Sequence, residues 1–181
     1  MRGLTLIELI VSTAILSIIF SVVTPSFVDV YDNHQSNSSV TQLRKVFTAA
    51  RNIALNSSQK ITICPNINGA CNNNWQNPLS VFLDLNENKL LDEGETIFLT
   101  ASNENNRGIW QARNGNTTSI RFNERGHAFG SATTFLYCPT SKRNQYARQL
   151  IISFQGRIRS EKYLSSRGTP YASLNGFNCP P

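Results

Sequence analysis

Arg157 and Arg159 alternate around Ile158, directly after Gly156. On an extended backbone residues two apart point to the same side, so two guanidinium groups would stand together. Paired guanidinium forks match the oxygens of a phosphate, and a glycine before them permits a turn or a close backbone approach. Lys142, Arg143, Arg148, Lys162 and Arg167 lie in the same stretch. The chain's net charge of +6 is confined to it: residues 1–125 hold ten Lys/Arg and ten Asp/Glu, whereas residues 126–181 hold seven and one, Glu161. A basic segment of this kind suits an anionic polymer or surface. The same residues also describe a solvated basic strand.

Two other groups of side chains could do chemistry. Asp84, Asn86, Asn88, Asp92 and Glu95 fall at positions one, three, five, nine and twelve of an EF-hand-type loop, which makes them a weak calcium candidate. Lys89 stands at the sixth position, where the sharp turn calls for glycine, and the flanks read as strands. The competing reading is an acidic β-hairpin with asparagines in its turns. Cys64, Cys71, Cys138 and Cys179 form an even set, which favours disulfides if the domain lies outside the cytoplasm. Of three pairings, Cys64–Cys71 with Cys138–Cys179 is the economical one, contributing about 2.5 and 4 kcal/mol by loop entropy. Zinc is the rival, but there is no C-x-x-C, and His34 and His127 lack ligand spacing. No nucleophile elbow, P-loop or zinc-hydrolase helix occurs, so neither catalysis nor a cofactor is expected.

These residues need a scaffold. From Leu6 to Val23 the only ionisable side chain is Glu8, and eighteen helical residues span roughly 27 Å, close to the ~30 Å of a bilayer core. For an ordinary signal peptide the apolar stretch is rather long, Glu8 interrupts it and no A-x-A site follows; a plain single-span anchor and a more specialised segment fit that length. Glu8 is costly in lipid and calls for a partner. Val40, Leu43, Phe47, Ala50 and Ala54 recur at helical spacing and leave Arg44, Lys45 and Arg51 largely on the other face; Asn56-Ser57-Ser58 is a plausible stop. A helix over residues 4–55 would be roughly 78 Å long. Short runs rich in Val, Ile, Leu, Phe and Thr follow at 60–64, 79–85, 96–100, 119–122, 133–138 and 149–154, with turn residues between them. Residues 72–74 and 103–106 read as exposed loops. The expected class is α+β: a leader at 1–3, an apolar helical half at 4–25, an amphipathic half at 26–57, and a β-rich domain at 58–181.

Gly3 followed by Leu4-Thr5-Leu6-Ile7-Glu8 resembles the prepilin cleavage site of type IV pilins and type II secretion pseudopilins. The resemblance implies that a prepilin peptidase cuts between Gly3 and Leu4 and that the new amine is methylated. It also implies that Glu8 pairs with a neighbouring subunit's terminal amine during assembly. Pro25 matches the family's helix-kinking proline; the short leader, and Leu4 in place of phenylalanine, depart from the pattern. Residues 81–95, 122–138 and the run QLIISFQGRIR, 149–159, resemble the FimT/GspH group of minor pilins. The motif Gly156-Arg157-Ile158-Arg159 is similar to that of FimT-type minor pilins implicated in DNA binding during natural transformation.

That likeness implies a type IV pilin fold, a single-pass inner-membrane protein before assembly, and then a pilus subunit or tip with an outward globular domain. Its partners would be other pilins and DNA, the latter held by its backbone regardless of sequence. Arg157, Arg159, Arg148, Lys142, Arg143, Lys162 and Arg167, with Gly156, would form the contact. Modest contacts multiplied over subunits could hold a strand, with Tyr146, Tyr163 and Tyr171 available for stacking on bases. The alternative is a structural minor pilin or GspH-like pseudopilin that primes or caps a filament and whose basic face meets other subunits.

Overall fold

The computed structural model describes residues 5–102, 108–113, 115–130, 132–141, 144–162 and 179, with the side chains of residues 22–26 excepted. The chain divides into two units, Met1–His34 and Gln35–Pro181. One helix, α1 (Leu6–Ser57), begins in the first and ends in the second.

The start of α1 follows from its capping chemistry. Thr5 Oγ1 accepts the Glu8 amide at 3.4 Å, the N-cap to N3 bond, and the Glu8 carboxylate in the first turn complements the helix dipole. Within the first unit the side chains from Leu6 to Phe20 are exposed, including Leu6, Ile7, Ile18 and Phe20. The hydroxyls of this run turn back onto the helix: Ser12 to the Glu8 carbonyl at 2.6 Å, Ser17 to Ala14 at 2.8 Å, and Ser21 to Ile18 at 2.7 Å. Their polar groups are thereby satisfied without water. Among the described residues no helix is long and apolar enough to cross a membrane. The apolar run, described in full only from Leu6 to Ser21, covers 16 residues there, short of the roughly 20 a span requires. The expected cleavage site at Gly3 and Leu4 lies outside the described residues, as does the side chain of Pro25.

In the second unit the expected apolar face is the buried one. Val40, Leu43, Phe47, Ala50 and Ala54 are all buried. Phe47 lies 5.4 Å from Phe135 and 6.1 Å from Trp75, and those two meet edge-on at 4.5 Å, a geometry aromatic pairs favour. Trp75 stays satisfied in the core by donating Nε1–H to the Thr117 carbonyl at 2.8 Å. The helix stops where Ser58 takes a left-handed turn, φ 52°, and the Gln59 amide reaches back to the Ala54 carbonyl at 3.4 Å, the bond of a Schellman-type close.

Among the described residues ten strands follow: β1 (Ile61–Ile67), β2 (Ala70–Cys71), β3 (Leu79–Leu83), β4 (Ile97–Ala101), β5 (Gly108–Ala112), β6 (Ile120–Phe122), β7 (Ala128–Phe129), β8 (Thr133–Pro139), β9 (Arg148–Ile152) and β10 (Ile158–Lys162). One antiparallel sheet runs β4-β3-β1-β6-β7, with β2 paired to β1; the other runs β10-β9-β8-β5. All six expected runs are strands. Four strands were not expected. β2 and β7 have two residues each, β5 follows the asparagine-rich 103–106, and β10 reads IRSEK, with only Ile158 off the exposed surface. A strand so polar shows no alternation to recognise. Cys64 joins Cys71, and Cys138 joins Cys179, so β1 is tied to β2 and β8 to residue 179. Residues 72–74 are irregular, with Asn73 and Asn74 exposed and Asn72 partly buried; 103–106 lie outside the described residues.

Candidate functional site

The arginine motif lies at the turn and edge of the second sheet. β9 and β10 pair antiparallel from Ile152↔Ile158 to Arg148↔Lys162. The turn between them is fixed by the Gly156 amide on the Ser153 carbonyl at 2.8 Å, the Ser153 amide on the Arg157 carbonyl at 3.0 Å, and the Arg157 amide on Ser153 Oγ at 3.2 Å. Gly156 is buried with φ 73°. A Cβ there would run into the Gly126 carbonyl and press on Arg51 Nε. Both openings left to the glycine, a turn and a close approach, are therefore used.

The approach joins two turns. Gly126, φ 70°, sits in the turn between β6 and β7, whose Gly126 amide bonds the Asn123 carbonyl at 2.8 Å. Ala128 donates to the Phe154 carbonyl at 3.0 Å. From α1, Arg51 Nε donates to the Gly126 carbonyl at 2.9 Å, so the helix pins the pair of turns from below. Neither role was legible in the sequence. Arg51 reads as a solvent-face cation because nothing local indicates a carbonyl 75 residues away. Arg125, exposed on the Gly126 turn, belongs to the part of the chain, residues 1–125, whose charges balance. Its neighbour Glu124 is exposed too.

The candidate cations do not all stand together. Arg157, Arg159 and Lys162 are exposed. Among the described residues Arg157 has no acidic partner, while Arg159 Nη1 lies 3.8 Å from Glu161 Oε1 on the same strand face. A pair that long and that exposed contributes little. Lys162 alternates to the other face of β10.

Arg148 is a correction. It is 4% exposed, with Nε on Asn37 Oδ1 at 2.9 Å and Nη1 on the Ala147 carbonyl at 3.1 Å, and burial pulls its pKa down. Its place at the start of β9, against α1, makes it a helix-to-sheet clamp and removes it from any outward face. Lys142, Arg143, Arg167, Tyr163 and Tyr171 lie outside the described residues, and Tyr146 closes a short 3-10 turn, Asn144–Tyr146.

Near the first sheet's edge a second charged group forms. Glu87 accepts Lys60 Nζ at 2.6 Å and Arg121 Nη1 at 2.8 Å, and both cations stand over the Phe129 ring, at 5.6 and 5.0 Å. The Lys60 hydrogen bond, then its charge, holds the Glu87 carboxyl below its usual range; the same bond raises Lys60.

A helix packed on antiparallel sheets places the chain in the α+β class and matches the type IV pilin fold. Residues 39–156 match the family model of the type II transport protein GspH; the chain belongs to this family of type IV minor pilins and pseudopilins. The type IV minor pilin FimU of Pseudomonas aeruginosa is similar in structure, with a TM-score of 0.58 at 19% identity over 71% of this chain and 89% of that one. A second crystal form of FimU gives 0.55 at 20% identity, over 69% and 91%. The minor pseudopilin EpsH of the Vibrio cholerae type 2 secretion system gives 0.51 at 10% identity, over 71% and 97%. At these identities the likeness is one of fold. No curated protein matches the chain.

Proposed function

We infer that this minor pilin binds extracellular DNA by its phosphate backbone, through Arg157 and Arg159 on the β9–β10 hairpin with Lys162 further along the same exposed edge strand, on its other face, and so supports DNA uptake in natural transformation. The observation that carries this reading is the exposure of both arginines, Arg157 at a turn packed closely on Gly126 and Arg51 and Arg159 on the strand that leaves it. Guanidinium groups placed without a need to order the backbone lose less entropy on binding. The apolar, exposed start of α1 supports the rest: cleavage between Gly3 and Leu4 by a prepilin peptidase, residence in the inner membrane, then burial of that surface among other pilins, with Glu8 meeting a neighbour's terminal amine. Lys142, Arg143 and Arg167 belong to the same proposed contact.

A second reading, a structural minor pilin or pseudopilin that primes or caps a filament, has its own support. Arg148 is spent inside the fold, Glu161 sits beside Arg159, and charges on an edge strand also guard against unwanted sheet pairing. Titration of the full-length protein in detergent with duplex DNA at several salt concentrations separates the two. Three phosphate contacts give a slope of log affinity on log salt near −2.7, and Arg157→Gln with Arg159→Gln brings it to about −0.9. Binding unaltered in the double variant rejects the assigned site. No binding at low salt leaves the structural reading.

A further inference from the structure

The turn that carries the arginine motif also carries an aromatic ring held out in water. The Gly156 amide on the Ser153 carbonyl at 2.8 Å closes that turn, so Phe154 and Gln155 stand at its corners. Phe154 is 65% exposed, and the bond that fixes it is made by its backbone, the carbonyl taking the Ala128 amide at 3.0 Å. Small polar residues and glycine are the usual choice for such corners. A single exposed phenylalanine is ordinary by itself. This one differs because it forms a wall of two clefts.

The first cleft, of about 390 Å³, is bounded by Phe154 together with Lys89, Arg121, Asn116, Thr118 and Ser119. The second, of about 340 Å³, is bounded by Phe154 with Arg113, Thr134 and Gln155. Both fall within the roughly 300–1,000 Å³ of small-ligand sites, and among the described residues neither lining includes an acid. Arg121 keeps Nη1 on Glu87 at 2.8 Å, while Nη2 faces Gly130, where a Cβ would come within 3.3 Å of it; Gly130 lines the first cleft. Lys89 is brought there by the loop between β3 and β4, which bonds largely to itself. Asp84 Oδ2 takes the Lys89 amide at 3.2 Å, Asn86 and Asn88 donate to Asp92 Oδ2 at 2.9 and 2.8 Å, and Glu95 takes the Leu85 and Asp92 amides. Among the described residues no three acidic, histidine or cysteine side chains are grouped to hold a metal ion. The EF-hand-type spacing there serves the loop's own hydrogen bonds, and the loop presents an exposed lysine.

We propose that Phe154 seats an unpaired DNA base, with the base edge on the amide and hydroxyl groups of the first cleft and a neighbouring phosphate at Lys89 and Arg121. The proposal rests on the DNA reading above and adds to it a preference for single strands. In a duplex every base is paired and stacked, so its face is closed to a side chain. In a single strand bases turn out and stack on aromatic rings with little regard to sequence. The lining fits each part of a nucleotide: a planar apolar ring for the base face, uncharged donors and acceptors for its edge, and cations without an acid for the backbone. An acidic sugar shares part of that chemistry. The ring's place three residues before Arg157, on the hairpin that carries the phosphate contact, favours the nucleic acid.

The test is fluorescence anisotropy of the full chain in detergent with labelled probes of equal length, about 12 nucleotides: an oligothymidylate, the corresponding abasic strand and a duplex. The oligothymidylate should bind about fivefold or more tightly than the abasic strand, the least that one stacked base is worth. Phe154→Ala, on an exposed residue, should remove that advantage and leave abasic and duplex binding, which use phosphates alone, within about twofold of wild type. Phe154→Tyr should keep it. Lys89→Gln should lower the salt slope for the single strand by about 0.7 and leave the duplex slope unchanged. Equal binding of the oligothymidylate and the abasic strand, or an advantage that survives Phe154→Ala, overturns the base seat; the DNA reading then stands or falls on the duplex and the paired Arg157→Gln and Arg159→Gln variant alone. No binding of any probe at low salt overturns the DNA reading and the seat with it. Phe154-dependent binding of a polyuronate, with none of the oligothymidylate, gives the clefts to an acidic sugar and overturns the proposal.

Discussion

Gly156→Ala separates the two jobs packed into the arginine motif. An alanine at φ 73° pays the left-handed penalty of roughly 1–2 kcal/mol. Its Cβ would also meet the Gly126 carbonyl and Arg51 Nε. The carbonyl is backbone and already holds the Arg51 bond, so the two turns must separate, at a cost of about 1–3 kcal/mol for overpacking. The expected loss is therefore about 3 kcal/mol, or roughly 6–12 °C in melting temperature for a chain of this size. Arg157→Gln, on an exposed residue, should stay within about 0.5 kcal/mol of wild type. Paired melts and salt-dependent DNA titrations of both variants give the comparison: the glycine variant loses stability first and binding as a consequence, the arginine variant loses binding alone. If Gly156→Ala melts within 2 °C of wild type yet binds DNA as poorly as Arg157→Gln, the glycine is part of the contact and the scaffold argument is wrong.

Arg148→Gln should behave in the opposite sense to Arg157→Gln. It breaks a charged hydrogen bond to Asn37, worth about 1.5–3 kcal/mol, and a urea melt should show that loss while the salt slope of any DNA binding stays unchanged; a fallen slope would return Arg148 to the interface. The Glu87 cluster predicts a pH dependence. Because the folded Glu87 carboxyl is held low by Lys60, its contribution is present above the unfolded carboxylate value of about 4.3 and is lost as pH falls through the folded one. The melting difference between wild type and Glu87→Gln should thus be steady near neutrality and close in acid. Raised Lys60 extends the same pair upward, with the loss coming only above the lysine's unfolded value of about 10.4. A difference that persists unchanged in strong acid refutes the assignment.

The elements legible in the sequence are those whose burial is periodic. The face of Val40, Leu43, Phe47, Ala50 and Ala54 repeats at helical spacing and is the buried face; β1, β3 and β8 are apolar runs with buried interiors. β10 was missed because it lies at a sheet edge, where only Ile158 turns toward the core and the remaining side chains need no pattern. The site divides in the same way. Residue type alone marks Arg157 and Arg159 as able to take phosphate. It cannot tell Arg148, equally basic and nine residues earlier, from a surface cation, because its burial depends on Asn37, 111 positions away. Lys89 takes the left-handed φ 64° although its type gives no sign of it, as a residue outside the usual preference does when surrounding bonds over-determine it.

Three of the chain's arginines show how position, not charge, assigns the work. Arg148 binds the helix to the sheet from within, Arg51 reaches from the helix to the carbonyl on which the Gly156 turn rests, and Arg157 stands free at the end of that arrangement. The first two fix the hairpin to the stretch of α1 beyond Gln35, so a pull applied at Arg157 passes to the helix through the Gly126 carbonyl and the paired strands of the second sheet. A contact meant only to fill space between subunits would not need such a path. One that must hold a tethered polymer under tension would, since each modest phosphate contact is useful only while its backbone does not yield. On the proposed reading it is thus the close packing of the turn, made by glycine and the part-buried Arg51 hydrogen bond, that would serve capture over capping, rather than the arginines themselves.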